Sequence, residues 1–199
     1  MPTLMTGTDW LPLGGTGSRA LGWWGMTWLI ATEAALFAYL LFAYFYLASA
    51  AQTRWPPSGP PELSLALPNT FVLLASSAAL LWAERGMDRD RPGRLRLGLA
   101  VTILLGAAFL VVQGFEYHRA AFSPSTDAYG SLFFTITGLH GAHVLVGLLM
   151  NAFALAMALA GPLTRARRVA IHNAALYWHF VDVVWLVVFT CLYLSPRMA

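Results

Sequence analysis

The chain has 199 residues, of which 58% are hydrophobic and 11% are charged, whereas about 25% of a soluble domain is charged. One globule of this size cannot bury that many apolar side chains, so the composition excludes a soluble protein and predicts a membrane protein. The net charge of +3 comes from arginines in short connections between apolar runs, which indicates membrane topology and excludes a nucleic-acid partner.

Five apolar runs follow one another along the chain. They predict an all-α, polytopic membrane protein, a bundle of five transmembrane helices in a single transmembrane domain over residues 1–199. A span needs roughly 20 apolar residues to cross about 30 Å of hydrocarbon, so we expect the second run, which is the shortest, to extend or tilt. The predicted spans are 22–48, 68–83, 95–117, 130–160 and 172–194.

The first run is predicted to be a retained span and not a signal peptide. Ala48-Ser49-Ala50 resembles a signal-peptidase site, but the apolar core of a signal peptide has only about 7–15 residues. The run that precedes this site begins near residue 22, is far longer and carries Glu33 near its middle.

Prolines, glycines and charges separate the predicted spans. Segment 55–61 contains Pro56, Pro57, Pro60 and Pro61, and it cannot continue a helix because proline has no N–H donor and clashes with the preceding turn. The remaining connections are the charged segment 85–96, segment 123–127 and the pair Gly161-Pro162.

The arginines are distributed unequally between the two faces of the predicted membrane. With alternating spans, nine of them fall on one face and three on the other, and the chain contains no lysine. The positive-inside rule therefore predicts a cytoplasmic N-terminus and an external C-terminus. The nine are Arg19, Arg85, Arg89, Arg91, Arg94, Arg96, Arg165, Arg167 and Arg168, and the three are Arg54, Arg119 and Arg197.

Five ionisable side chains lie deep within the predicted spans, within about two helical turns of the bilayer midplane at a rise of about 1.5 Å per residue. At that depth an ionisable group costs about 2.5–3.5 kcal/mol or more, so each one requires a partner or a function. Glu116 differs because it ends the third span near the outer interface, where water can reach it. The five are Glu33, His140, His143, His179 and Asp182.

The histidines alone leave three interpretations open. His140 and His143 are three residues apart, as are His179 and Asp182, so each pair shares a helix face and could be satisfied by helix–helix hydrogen bonds of about 0.6 kcal/mol each. Histidines from two spans at similar depth could also ligate haem, as in a membrane cytochrome b. A small transporter is the third class, but the repeated halves and broken helices usual in transporters are not evident here.

Several motifs in register identify a family. From about Trp23 to Leu194 the chain resembles subunit III of the haem–copper respiratory oxidases, and of cytochrome c oxidase in particular. The matching runs are Thr32-Glu33, Trp55-Pro56-Pro57, NTFVLLAS at 69–76, Glu116-Tyr117, TGLHGAHVLVG at 137–147 and YWHFVDVVWL at 177–186.

The resemblance implies a non-catalytic subunit of a proton-pumping terminal oxidase that reduces oxygen with electrons from cytochrome c. Members carry no redox centre; haem and copper belong to partner subunits. They pack mainly on subunit I, with subunit II in the same complex, bind phospholipid in a cleft and help to sustain proton uptake. The expected location is a bacterial plasma membrane, with a respiratory supercomplex as a further assembly. The alternatives are the equivalent subunit of a quinol oxidase and an accessory subunit of nitric oxide reductase.

The resemblance also implies roles for particular residues. Glu33 matches the membrane-buried carboxylate near the lipid cleft. His140, His143, His179 and Asp182 match an intramembrane polar network that holds the helices together, and no metal ligand is implied. The interfacial positions are Glu116, Trp178 and Trp185.

Two departures from the family pattern stand out. Many members have seven helices, and counterparts of the first two are absent from this chain, so the lipid cleft is expected to be either one-walled or completed by a neighbouring subunit. His172 stands where a glutamate is common, and Glu84-Arg85 replaces a pair of histidines. Because both positions lie at helix ends, we expect local rewiring and no change of function.

Overall fold

The computed structural model describes residues 21–52, 54–57 and 59–198. These residues form five long helices without a strand, each long and apolar enough to cross a membrane, which confirms the predicted fold class. Arg19, which was counted in the orientation argument, lies outside the described residues. The helices are α1 (Leu21–Ala50), α2 (Leu63–Asp88), α3 (Pro92–Arg119), α4 (Ala128–Leu159) and α5 (Arg165–Phe189).

Helix α2 is longer than the predicted span 68–83 at both ends. It begins at Leu63, so Pro68 lies inside the helix and removes one backbone hydrogen bond near its start. Prolines are tolerated in membrane helices because neighbouring groups satisfy the freed carbonyls. At the other end the helix continues to Asp88, and α3 begins at Pro92, because proline suits the first turn, where its missing N–H would have no helical partner.

Helix α5 lies at the centre of the bundle and contacts α1, α2 and α4, while α3 packs between α2 and α4. The α2–α3 contact is close because Gly98 of α3 faces Ala83 of α2. A Cβ atom on Gly98 would lie 2.6 Å from the Ala83 Cβ, so only glycine permits this approach, as is common between membrane helices.

Among the described helices, α1 packs on one side, against α4 and α5. Its Phe37 and Tyr44 side chains are buried in the bundle, whereas Trp28 is 71% exposed and Tyr39 is 69% exposed. An apolar, aromatic face of this size is compatible with lipid or with another protein subunit, and not with water.

The α2–α3 and α4–α5 connections meet at one end of the bundle, which we call the arginine end (residues 85–96 and 160–168). Arg96 Nε donates to Ala158 O at 2.9 Å, and Arg168 Nη1 donates to Met87 O at 2.7 Å. Arg168 also pairs with Asp90. The last carbonyls of α4 and α2 have no intrahelical donor, so these arginines complete the helix ends and tie the two connections together.

The opposite end, which we call the proline end, consists of residues 51–62, 119–127 and 190–198. Helix α5 continues there as a π-helical turn, Thr190–Leu194, and a 3₁₀ turn, Ser195–Arg197. The Arg197 guanidinium donates to the carbonyl oxygens of Tyr193 and Pro61. Both ends of the bundle are therefore closed by arginine contacts to backbone carbonyls.

Candidate functional site: buried polar contacts between the helices

Glu33 of α1 has a partner on α4. Its Oε2 lies 3.0 Å from Nε2 of His143, and the two side chains are 27% and 13% exposed. The Phe37 ring lies 5.1 Å from the His143 ring and covers one side of the pair. The carboxylate that the sequence places near the midplane is thus paired, and it remains partly exposed.

The Glu33–His143 contact holds one proton. His143 Nδ1 lies 2.8 Å from the backbone oxygen of Leu139, and a carbonyl can only accept, so Nδ1 carries a hydrogen. The shared proton then sits either on His143 Nε2, beside a carboxylate, or on Glu33, which donates to a neutral imidazole. The pair can accordingly exchange between an ionic and a neutral form without taking up a proton.

His140 lies in an aromatic enclosure and is not part of that pair. It is 1% exposed, and its ring centroid lies 4.9 Å from that of Trp185, 5.9 Å from Phe109 and 6.4 Å from Phe37. Neither ring nitrogen has a hydrogen-bond partner within residues 21–198 as described. His140 therefore contributes to this bundle mainly through ring packing.

His179 and Asp182 of α5 face α2. His179 Nδ1 lies 3.1 Å from Ser77 Oγ, and His179 Nε2 lies 3.5 Å from Glu84 Oε2. Asp182 is 6% exposed and has Ser77 and His179 as neighbours. The hydrogen-bond partner of His179 is thus Ser77 on the neighbouring helix α2.

The two positions that depart from the family pattern are partners of each other. Glu84 Oε1 lies 3.1 Å from His172 Nδ1, while its other oxygen faces His179. One carboxylate therefore lies between two imidazoles. Sequence reasoning left Glu84 and Ser77 out of the site. Glu84 follows Ser77 by seven residues, as His179 follows His172. This equal spacing along two helices is the signal that could have found them.

Trp178 and Trp185, which are predicted to be interfacial, are both 1% exposed and lie inside the bundle. Trp178 Nε1 donates to Ser76 Oγ at 3.0 Å, and Trp185 Nε1 donates to Thr70 Oγ1 at 3.0 Å. The hydroxyls of α2 satisfy the indole N–H groups that burial would otherwise leave without a partner. Two tryptophans that resemble headgroup anchors therefore join α5 to α2.

Glu116 lies in the last turn of α3, beside the proline end, and its Oε2 is buried without a hydrogen-bond partner among the described residues. Its Oε1 accepts from the Tyr193 hydroxyl at 2.7 Å. It lines a cleft of about 240 Å³ with Glu62, Arg119 and Phe122. The four residues of the implied network lie in three places: His143 pairs with Glu33, His140 lies among aromatic rings, and His179 and Asp182 face α2.

The chain matches the family model described as Cytochrome c oxidase subunit III over residues 18–196. It is similar to proteins named Cytochrome c oxidase subunit 3 from Triticum aestivum (37% identical over 177 residues), Rhizopus stolonifer (38% over 176) and Pongo abelii (39% over 178). Each match covers 85% of this chain and 67%, 62% and 68% of the respective relative. The chain thus spans about two thirds of the length of these relatives.

Proposed function

The chain belongs to the cytochrome c oxidase subunit III family, and we propose that it acts as the non-catalytic subunit III of a proton-pumping terminal oxidase. The match over residues 18–196 carries this proposal. In it, subunit I is the main partner and subunit II belongs to the same complex, and those partners hold the haem and copper. The names of the relatives favour a cytochrome c oxidase over a quinol oxidase or a nitric oxide reductase.

Copurification tests this assignment. A complex purified through a tag on this chain is expected to contain subunit I with haem and a subunit II with copper. If the chain instead purifies without oxidase subunits and binds stoichiometric haem that is lost on His140→Leu or His179→Leu, the assignment fails. A copper-free subunit II would favour a quinol oxidase.

We also propose that the exposed face of α1 is the surface on which phospholipid and a neighbouring subunit pack. Trp28 and Tyr39 supply the large apolar contacts there. The Glu33 side chain is 27% exposed, so a lipid headgroup or a polar group of a partner could reach the Glu33–His143 pair. In this proposal the pair stabilises the subunit and its lipids during turnover.

Replacing Glu33 with glutamine is expected to leave the initial rate of oxygen reduction close to that of the unsubstituted complex. The amide of the introduced glutamine can still donate to Nε2 of a neutral His143, whose Nδ1 remains bonded to Leu139 O. The activity is expected to decline faster during continuous turnover, which oxygen consumption over time would measure. Glu33→Leu, which cannot donate, should decline fastest. An immediate collapse of electron transfer in a complex that retains this subunit and its haems would contradict the non-catalytic role.

The proposed location is a bacterial plasma membrane with the arginine end in the cytoplasm. Arg89 and Met198 are exposed at opposite ends of the bundle, so Arg89→Cys and Met198→Cys in a Cys191→Ala background report the two faces. An impermeant maleimide added to intact cells is expected to label position 198 and not position 89, and both should react after lysis. Labelling of position 89 alone in intact cells would reverse the orientation.

A further inference from the structure

The cleft at the proline end is separate from the exposed face of α1 and has a volume of about 240 Å³. Its walls come from the proline-rich segment, the start of α2, the end of α3 and one ring of α4. The lining combines apolar and charged side chains, so the cleft suits a small group that is itself part apolar and part charged. The apolar residues are Leu65, Phe122 and Phe133, and the charged residues are Glu62, Glu116 and Arg119.

Glu116 brings to this cleft a carboxylate oxygen that lacks a donor. Its Oε1 accepts from the Tyr193 hydroxyl at 2.7 Å, whereas its Oε2 is buried and has no hydrogen-bond partner among the described residues. Leaving a buried acceptor without a donor is costly, and more so when the group is charged. The carboxylate therefore favours a ligand that supplies both N–H donors and a positive charge.

The walls of the cleft are held in place by contacts on both sides. The Arg197 guanidinium donates to the carbonyl oxygen of Pro61, which fixes the proline-rich wall, and to that of Tyr193. Tyr193 orients Glu116 through its hydroxyl, and its ring stacks on Phe189 with 5.3 Å between the ring centroids. Because these groups are already positioned, a ligand loses little binding free energy to rearrangement of the walls.

From this arrangement we propose that the cleft binds a primary ammonium group, whose N–H groups donate to Glu116 Oε2. The methylene groups beside the nitrogen lie against Phe122 and Phe133, and an anionic group of the same ligand meets the exposed Arg119. Two sources carry this chemistry, namely the headgroup of phosphatidylethanolamine and a soluble amine. A quaternary ammonium group binds less well, because it has no N–H to donate. The site uses residues of this chain alone, so it does not depend on the identity of the oxidase partners.

Two neighbours of Glu116 on α3 carry donors of their own. Gln113 lies one turn earlier and Arg119 one turn later, so both share its helix face. Gln113 is 4% exposed, and its Nε2 has no hydrogen-bond partner in the described part of the chain. Neither side chain donates to Glu116 Oε2, so this oxygen stays available to a ligand that enters the cleft.

Native mass spectrometry of the delipidated complex, reloaded in detergent with one phospholipid at a time, tests this site. At one site, phosphatidylethanolamine is expected to bind the unsubstituted complex about tenfold more tightly than phosphatidylcholine, because only the former donates to the carboxylate. Glu116→Gln keeps an acceptor for the Tyr193 hydroxyl but loses the charge, so it should abolish this preference. Asp88→Asn is the matched control. It removes an exposed carboxylate at the arginine end and should retain the preference.

Free phosphoethanolamine distinguishes the two sources of the ammonium group. If it displaces phosphatidylethanolamine at equal concentration, the ligand is a soluble amine, and if it does not, the ligand is the lipid. Equal binding of the two phospholipids by the unsubstituted complex would overturn the proposal, as would an unchanged preference in Glu116→Gln.

If Glu116→Gln fails to assemble, successive N-methylation of the lipid decides the question with the unsubstituted complex. The affinity should fall at the last methyl group, which removes the last N–H donor. An equal fall with each methyl group would contradict the proposal, because headgroup size and not hydrogen bonding would then determine the preference.

Discussion

Replacing Gly106 with valine is expected to destabilise the bundle by about 3 kcal/mol or more and to reduce sharply the amount of subunit recovered. A Cβ atom at this position of α3 would lie 2.4 Å from Trp178 Cη2 and 2.9 Å from Leu148 Cδ2. Trp178 cannot move away from Gly106, because its other edge lies against Gly147 of α4. The contact is so close that a Cβ atom added to Gly147 would lie 2.8 Å from the indole ring. Its indole N–H is also bonded to Ser76. Helices α3 and α4 must then move apart around α5.

Gly114→Val provides the control for this prediction in the same helix. No described heavy atom lies within 4 Å of a Cβ built on Gly114, so this variant carries the same change in helix propensity without the clash. The thermal midpoint of unfolding of the purified complex should fall for Gly106→Val and stay nearly unchanged for Gly114→Val. Equal midpoints for the two variants would contradict the prediction, because they would show that the packing of Trp178 between Gly106 and Gly147 does not determine the stability of the bundle.

Replacing Trp185 with alanine is expected to cost about 3–5 kcal/mol, as for large buried aromatics elsewhere. The indole is 1% exposed and lies between the rings of His140 and Phe109, at 4.9 Å and 5.0 Å. Its removal leaves a cavity beside an imidazole that has no hydrogen-bond partner among the described residues. We expect the subunit to dissociate from the complex at a lower temperature, which size-exclusion chromatography after stepwise heating would measure.

Trp185→Phe separates ring packing from hydrogen bonding at the same position. Phenylalanine keeps a ring between His140 and Phe109 but loses the donor to Thr70 Oγ1, so its cost should be nearer 1 kcal/mol. If the phenylalanine and alanine variants destabilise the complex equally, the hydrogen bond to Thr70 supplies most of the effect and the packing argument is wrong.

Helix number could be predicted from the sequence because it depends on length and apolar composition alone. The ends of the helices were harder to predict from the sequence. The predicted second span began at Pro68, but α2 begins at Leu63, since a proline near a helix start removes only one hydrogen bond. Residues 84–88, with three charges, also resemble a connection, yet they continue α2, and Arg168 of α5 donates to Met87 O in its last turn.

Depth could be predicted for the ionisable side chains, but partners could not. A rise per residue places Glu33 and His143 at similar depths, whereas only the arrangement of α1 against α4 brings them together. His140, three residues away from His143, points instead into aromatic rings. A pattern of residues on one helix face does not determine which neighbouring helix that face meets, so the four residues of the implied network lie in three places.

The packing of α1 against α4 and α5 has a consequence for the order in which the protein is made. Helix α1 leaves the ribosome before the other four helices, but its contacts are with α4 and α5, which leave it after α2 and α3. His143 follows Glu33 by 110 residues, a delay of about 6–20 s at ordinary translation rates. During that interval Glu33 stays in the membrane without its histidine, so the newly made helix must tolerate a lone carboxyl group or borrow a partner from the insertion machinery.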